Sequence, residues 1–243
     1  IGASYWFNRE YKPALEYFFE YEKTGDSTRP EFAYYIAEIN FNDNNYKTAL
    51  HYYDLFSAAP DADKNLKKNA DYKILKICFE LDDFNRCLAV LKTVKKNIDG
   101  YDRDRKLDIY SIAGNLYFKN NRIAESEEYF EYLSKSGYNV SIPFMNIGLY
   151  YYDKKLYDKA LKYLTATENS VQDIRVVKAL AEISALSNDN INAERRYLKI
   201  YAASPSEDNA LMLARFYNTL KNSAKAAEYY KFAVNFNSTN AEA

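Results

Sequence analysis

The sequence predicts an all-α protein built from seven helix–turn–helix hairpins laid one on the next, and three registers predict it. A small residue followed three and four residues later by an apolar or aromatic pair recurs at Ala14, Ala49, Cys87, Ser126, Ala160, Ala193 and Ala226. Twelve residues before each lies Gly2, Ala37, Leu75, Gly114, Gly148, Ala181 or Ala214, and seven after each lies Tyr21, Phe56, Val94, Leu133, Thr167, Ile200 or Ala233. By subtraction the markers recur at 35, 38, 39, 34, 33 and 33 residues, the length of a paired-helix unit.

Phe144 to Leu164 shows how one unit works. Ile147, Gly148 and Tyr151 fall at i, i+1 and i+4, on one side of a first helix. Asp153-Lys154-Lys155 breaks it, and Tyr157, Ala160 and Tyr163-Leu164 set a second stripe on a second helix. Gly148 and Ala160 are small where the two antiparallel helices cross, so the backbones approach closely. One hairpin leaves its outer apolar face bare, and stacking the next hairpin covers it.

In order, the units are approximately 1–29, 30–63, 68–101, 107–140, 141–173, 174–206 and 207–240. Turns are expected at Asp43-Asn44, Asp82-Asp83, Asn120-Asn121, Asp153-Lys154, Asn188-Asp189 and Lys221-Asn222, and no strands are expected. Pro13 opens the second helix of the first unit, where its missing N–H does least harm. Thr24-Gly25-Asp26-Ser27 ends that unit. Units three and four carry four to five extra residues, so irregular stacking is expected there. The polar link Asp99-Gly100-Tyr101-Asp102-Arg103-Asp104 is the candidate hinge, or a place where the superhelix is re-aimed. Ile1-Gly2 falls mid-helix and Asn240-Ala241-Glu242 opens a further unit, which reads as a fragment of a longer protein.

These registers resemble the tetratricopeptide repeat family, whose unit is about 34 residues long. The resemblance covers essentially the whole chain and implies a right-handed superhelical solenoid of stacked hairpins, with first helices lining a concave groove. It implies little about function, because the fold serves as a scaffold in many contexts. Leu75 departs from the expected small residue, Cys87 and Ser126 stand for Ala, and Asn190 and Ser223 stand for the usual Tyr. The family proline appears only at Pro60 and Pro205. Chaperone-binding members hold a C-terminal carboxylate with Lys, Asn and Arg on three first helices. Asn115, Asn146 and Arg175 match, but Ser111 and Ala179 stand where cations are needed, which speaks against that clamp.

Composition narrows the function classes. The chain is 48% hydrophobic and 17% aromatic, with 26 Tyr, a residue that buries its ring while its hydroxyl reaches water. Formal net charge is −1, so the electrostatic footprint of a nucleic-acid binder is missing. No apolar run is long enough to span a bilayer and no signal peptide is visible; the compartment stays open between cytoplasm and periplasm. His51 is the sole histidine and no glycine-rich phosphate loop occurs, so a non-enzyme without metal or cofactor is expected. Cys78 and Cys87 read as two buried free thiols, or else as a disulfide across the third hairpin. Two sequons, Asn139-Val140-Ser141 and Asn237-Ser238-Thr239, are short enough to be accidental.

Functional signal is therefore sought on the first helices, at positions turned away from the intra-hairpin stripe. These are Tyr34, Glu38 and Phe41, then Tyr72, Lys76 and Phe79, then Ser111, Asn115 and Phe118, then Met145, Leu149 and Tyr152, with Trp6 and Glu31 ahead of them. The last two units offer Arg175, Lys178, Glu182, Leu211, Arg215 and Asn218. An exposed apolar stripe is the mark of a binding surface; the alternative is that the rings pack between neighbouring first helices as ordinary core. The expected function is a non-catalytic scaffold that binds a peptide segment of a partner protein in the groove, through apolar contacts that depend weakly on salt. One alternative is a structural or assembly subunit of a bacterial envelope, secretion or motility complex, in contact through its convex face and ends. Another is the binding arm of a longer enzyme or regulator.

Overall fold

The computed structural model describes residues 1–25 and 29–241, with side chains as far as Phe236. Asp26 and Ser27 of the first unit's end, Glu242, and the side chains of the second sequon lie outside the described residues. Among those described there are fourteen α-helices and no strand. They pair in chain order as α1 (Gly2–Phe7) with α2 (Tyr11–Lys23), α3 (Glu31–Asn42) with α4 (Tyr46–Ala58), α5 (Lys64–Glu80) with α6 (Phe84–Lys96), and α7 (Arg103–Lys119) with α8 (Ile123–Lys135). Then come α9 (Ser141–Asp153) with α10 (Tyr157–Thr167), α11 (Ile174–Leu186) with α12 (Asn190–Ala203), and α13 (Glu207–Thr219) with α14 (Ser223–Ala241). The chain forms two compact units, Ile1–Leu133 and Ser134–Ala243.

Each hairpin closes in the same way. Arg9, Asn44, Asp82, Asn121, Lys155, Asn188 and Lys221 hold the left-handed backbone conformation, one per turn and each five residues before the small marker of the second helix. The following N–H reaches back five residues to a first-helix carbonyl, as in Asn45 N to Asn40 O (2.8 Å), Leu156 N to Tyr151 O (2.9 Å) and Asp189 N to Ser184 O (2.8 Å). This is the bond that ends a helix by reversing one residue's φ.

The registers are the core. All seven small markers and all seven residues twelve before them are buried, and of those seven after, only Tyr21 is half-buried. A Cβ on Gly114 would stand 2.8 Å from the Phe130 ring, so glycine is what admits that ring. The polar substitutes at the crossing spend their atoms on the facing helix: Ser126 Oγ donates to Gly114 O at 2.9 Å, and Cys87 Sγ points at Leu75 O at 3.8 Å. Cys78 and Cys87 are free and buried, and burial pushes their thiols up to about 11 and about 12.

Two expectations change. The extra residues of hairpins three and four lengthen α5 and α7 to 17 residues, against 12 in α3 and 13 in α9. Caps set the earlier starts. Asp63 accepts from the Asn65 and Leu66 N–H groups at 2.8 and 2.9 Å, and Asp102 accepts from the Arg105 N–H at 2.9 Å. Nor is the link before α7 a loose hinge. A 3-10 turn, Ile98–Gly100, leads into buried Tyr101, whose hydroxyl donates to Lys68 O at 2.8 Å. The division between compact units falls at Leu133 and Ser134 instead.

Candidate peptide-binding face

In the first unit the first helices α3, α5 and α7 pack side by side. Tyr34 on α3 is buried among Tyr35, Tyr53 and Phe56, and its hydroxyl accepts from Asn69 Nδ2 on α5. Burial and the nearby Glu38 charge push that hydroxyl's pKa up. Glu38 is half-buried and accepts from Tyr53 Oη at 2.5 Å, so it ties α3 to α4. Tyr72 on α5 is buried and donates to Asp108 on α7, which also pairs with Lys76 at 3.2 Å. Asn115 turns back onto its own helix, donating to Ser111 O at 2.9 Å.

Three phenylalanines remain half-buried on this face: Phe41, Phe79 and Phe118, each four residues after the small-position marker of its helix. Cations lie over two of them. Lys73 Nζ stands 3.9 Å from the centre of the Phe41 ring, and Lys119 Nζ, which also pairs with Asp82 at 2.6 Å, stands 4.9 Å from that of Phe79. Lys76 and the Arg105 guanidinium flank the Tyr72 ring at 5.5 and 5.6 Å. Such contacts contribute about 0.5–2 kcal/mol, more as they are desolvated. Lys73 is half-buried, and burial lowers its pKa against the opposing pull of the Glu38 charge.

In the second unit Met145 is buried and Leu149 and Tyr152 are half-buried on α9. Tyr152 donates to Glu182 on α11, and its hydroxyl's pKa is pushed up by burial and by that bond. Arg175 is exposed and pairs with Asp173 at 2.6 Å; Arg215 and Asn218 are exposed, and Lys178 and Leu211 are half-buried.

The expected wet aromatic stripe is therefore not what the helices present. Tyr34, Tyr72 and Met145 pack between neighbouring helices, and Phe41, Phe79, Phe118, Leu149 and Tyr152 are partly covered. The cover comes from residues that projection of one helix leaves out, above all Lys73, Arg105, Asp108 and Lys119. Lys73 had a local signal, since it stands three residues before Lys76 on the same helix and so shares its side.

Neither a protein-family model nor a curated protein matches the sequence. Solved structures do. MamA (AMB-1) is similar at 17% identity and TM-score 0.53, over 72% of this chain and 94% of its own. The C-terminal part of a TPR repeat-containing protein from Cytophaga hutchinsonii is similar at 15% identity and TM-score 0.58, over 85% and 80%. This chain has the tetratricopeptide-repeat fold. PilF of Pseudomonas aeruginosa is similar at 14% identity and TM-score 0.51, over 84% and 89%. At these identities the likeness is one of fold, and the tetratricopeptide-repeat hairpins leave function to the side chains on their faces. No helix among the described residues is long and apolar enough to cross a membrane, and no His, Cys, Asp and Glu cluster among them suits a metal ion.

Proposed function

We propose that this chain is a non-catalytic protein-interaction scaffold, and that α3, α5 and α7 of its first unit take an extended or helical peptide segment of a partner protein. The observation that carries the reading is the ladder of Phe41, Phe79 and Phe118, half-buried at one repeat position on three adjacent first helices. Half-buried rings have apolar area left to cover, worth about 25 cal/mol per Å². The Lys73 ammonium over Phe41 adds a preference for segments whose apolar residues are bordered by acidic ones. Salt therefore weakens binding, in contrast to the weak salt dependence expected from the sequence. Leu149 and Tyr152 form a similar but smaller surface on α9 of the second unit.

The test uses peptides selected against the chain from a display library. Phe41→Ala with Phe79→Ala removes two half-buried rings and leaves the buried Tyr72 pair intact. Each hot-spot ring is worth about 2 kcal/mol, so affinity should fall more than tenfold with helicity unchanged. Undiminished binding would rule the face out. An assembly role through the second-helix side is the other reading. It is favoured by Leu55 and Tyr132 of the first unit, which are exposed by 47 and 49% at one register, six residues after their small markers. Peptides whose binding depends on Leu55 and not on Phe79 would point there.

A further inference from the structure

Hairpin three exceeds the repeat period, and its surplus residues build a cavity. The added first turn of α5 supplies Lys64, Lys67 and Lys68, the end of α6 supplies Lys96, and the 3-10 turn closes the space with Asp99 and Gly100. It is open to solvent on one side and holds about 550 Å³. In repeat arrays, insertions of this kind collect on one side of the stack and often carry binding.

Four ammonium groups face two carboxylates here, Asp71 and Asp99. Two of the lysines are committed to the chain itself. Lys68 Nζ donates to Gly100 O at 2.5 Å and Lys67 Nζ to Ser57 O at 2.7 Å. Asp99 is drawn to Lys106 outside the cavity at 3.4 Å, with its side chain fully exposed. Asp71 is half-buried, and burial raises its pKa despite Lys67. Lys64 and Lys96 are exposed, come from different helices, and have no carboxylate partner among the described residues. With Asp99 turned to Lys106, the lining keeps an excess of positive charge, and Lys64 and Lys96 are its two cations without a partner among the described residues.

We propose that this cavity is a binding site for a phosphate group, held by Lys64 and Lys96. A dianionic phosphate matches the two unpartnered ammoniums of Lys64 and Lys96, whereas a single carboxylate leaves one of them unmatched. Lysine suits the task, since its ammonium is a compact charge with three donors that turn to meet phosphate oxygens. Thr93 lines the cavity as well, and its hydroxyl adds a neutral donor. The committed lysines tie the walls together through Gly100 and Ser57, so the site stands ready before the ligand arrives.

Isothermal titration calorimetry of the chain with inorganic pyrophosphate and, separately, with phosphoserine tests this. Saturable binding at one site is expected for at least one probe. Tighter pyrophosphate binding assigns a free phosphate ligand, and tighter phosphoserine binding a phosphorylated side chain; either supports the site. Lys64→Ala with Lys96→Ala should weaken binding at least tenfold, while Lys92→Ala, exposed on the same helix α6 but outside the lining, should not. Both lysines of the double variant are exposed, so an unchanged melting temperature is expected to accompany the loss. No heat with either probe overturns the proposal, and so does binding that weakens equally in the Lys92 variant, which marks a diffuse Coulombic attraction.

Discussion

The Tyr72 hydroxyl on α5 donates to Asp108 Oδ2 on α7 at 2.5 Å, joining two first helices across 36 residues of sequence. Asp108 keeps a second partner in Lys76, and a ring at the centre of the candidate face becomes part of the packing between hairpins. Tyr72→Phe removes only the donor. Hydrogen bonds to charged groups contribute about 1.5–3 kcal/mol, and the remaining Lys76 pair softens the loss, so a cost near 1–2 kcal/mol is expected in urea unfolding. Tyr72→Phe with unchanged stability would mean that the bond contributes nothing net.

Gly148 is tight against its partner helix. A Cβ there would stand 2.7 Å from Leu164 Cγ and 3.1 Å from the Leu164 backbone N. Helix propensity favours alanine by about 1 kcal/mol, and overpacking costs about 1–3 kcal/mol. The backbone contact cannot relax by a rotamer change, so Gly148→Ala should destabilise and Gly148→Leu should do so strongly. In a stack of nearest-neighbour contacts the damage should be local. Hydrogen exchange should rise in α9 to α12 and not in α1 to α4; a uniform rise would contradict this.

The turns offer the opposite sign. Lys155 carries φ 60°, which costs a residue with a Cβ about 1–2 kcal/mol, while Lys154 beside it has φ −81°. Lys155→Gly relieves that strain and gives back part of the gain as chain entropy, leaving about 0.5–1 kcal/mol. Lys154→Gly pays the entropy and relieves nothing. Thermal melts should move in opposite directions for the two variants.

One buried ion pair makes the second unit sensitive to acid. Arg196 Nε and Nη2 donate to the two Glu168 oxygens at 2.9 and 2.8 Å, and Nη1 donates to Ser184 at 2.8 Å. The side chains are only 8 and 13% exposed. Hydrogen bonds from Arg196 hold the Glu168 carboxyl below its ordinary 4.5. The pair's stabilisation is therefore complete above about pH 4.5 and is lost as pH falls through the lower folded value. Arg196→Ala leaves a buried carboxylate unpaired and should cost about 3 kcal/mol at pH 7. Glu168→Gln should flatten the stability profile below pH 4.5; a profile as steep as that of the unchanged chain would rule the pair out as its source.

Much of this architecture is written in local spacing. The left-handed turn residue, the small crossing residue and the second-helix pair keep fixed offsets, so a reader of the sequence finds every hairpin. Burial of the candidate face is not local. Whether Tyr72 is wet depends on Asp108 and Arg105, and Tyr34 on Asn69, all brought in from another hairpin. Projection of one helix shows where a side chain points, not what arrives to cover it. The helix lengths of α5 and α7 were hidden for a different reason. Their extra turns are polar, and the caps Asp63 and Asp102 look like ordinary loop aspartates until the N–H groups they accept from are known.

Photo-cross-linking tests the peptide-binding face most directly. A benzoyl-phenylalanine placed at Phe79, with the same group at exposed Leu161 on α10 as the comparison, is irradiated with a selected peptide bound. Cross-links from position 79, suppressed by excess unlabelled peptide and weakened by added salt, are expected, with none from position 161. Cross-links from position 161 and none from 79 would contradict the assignment of the peptide to α3, α5 and α7.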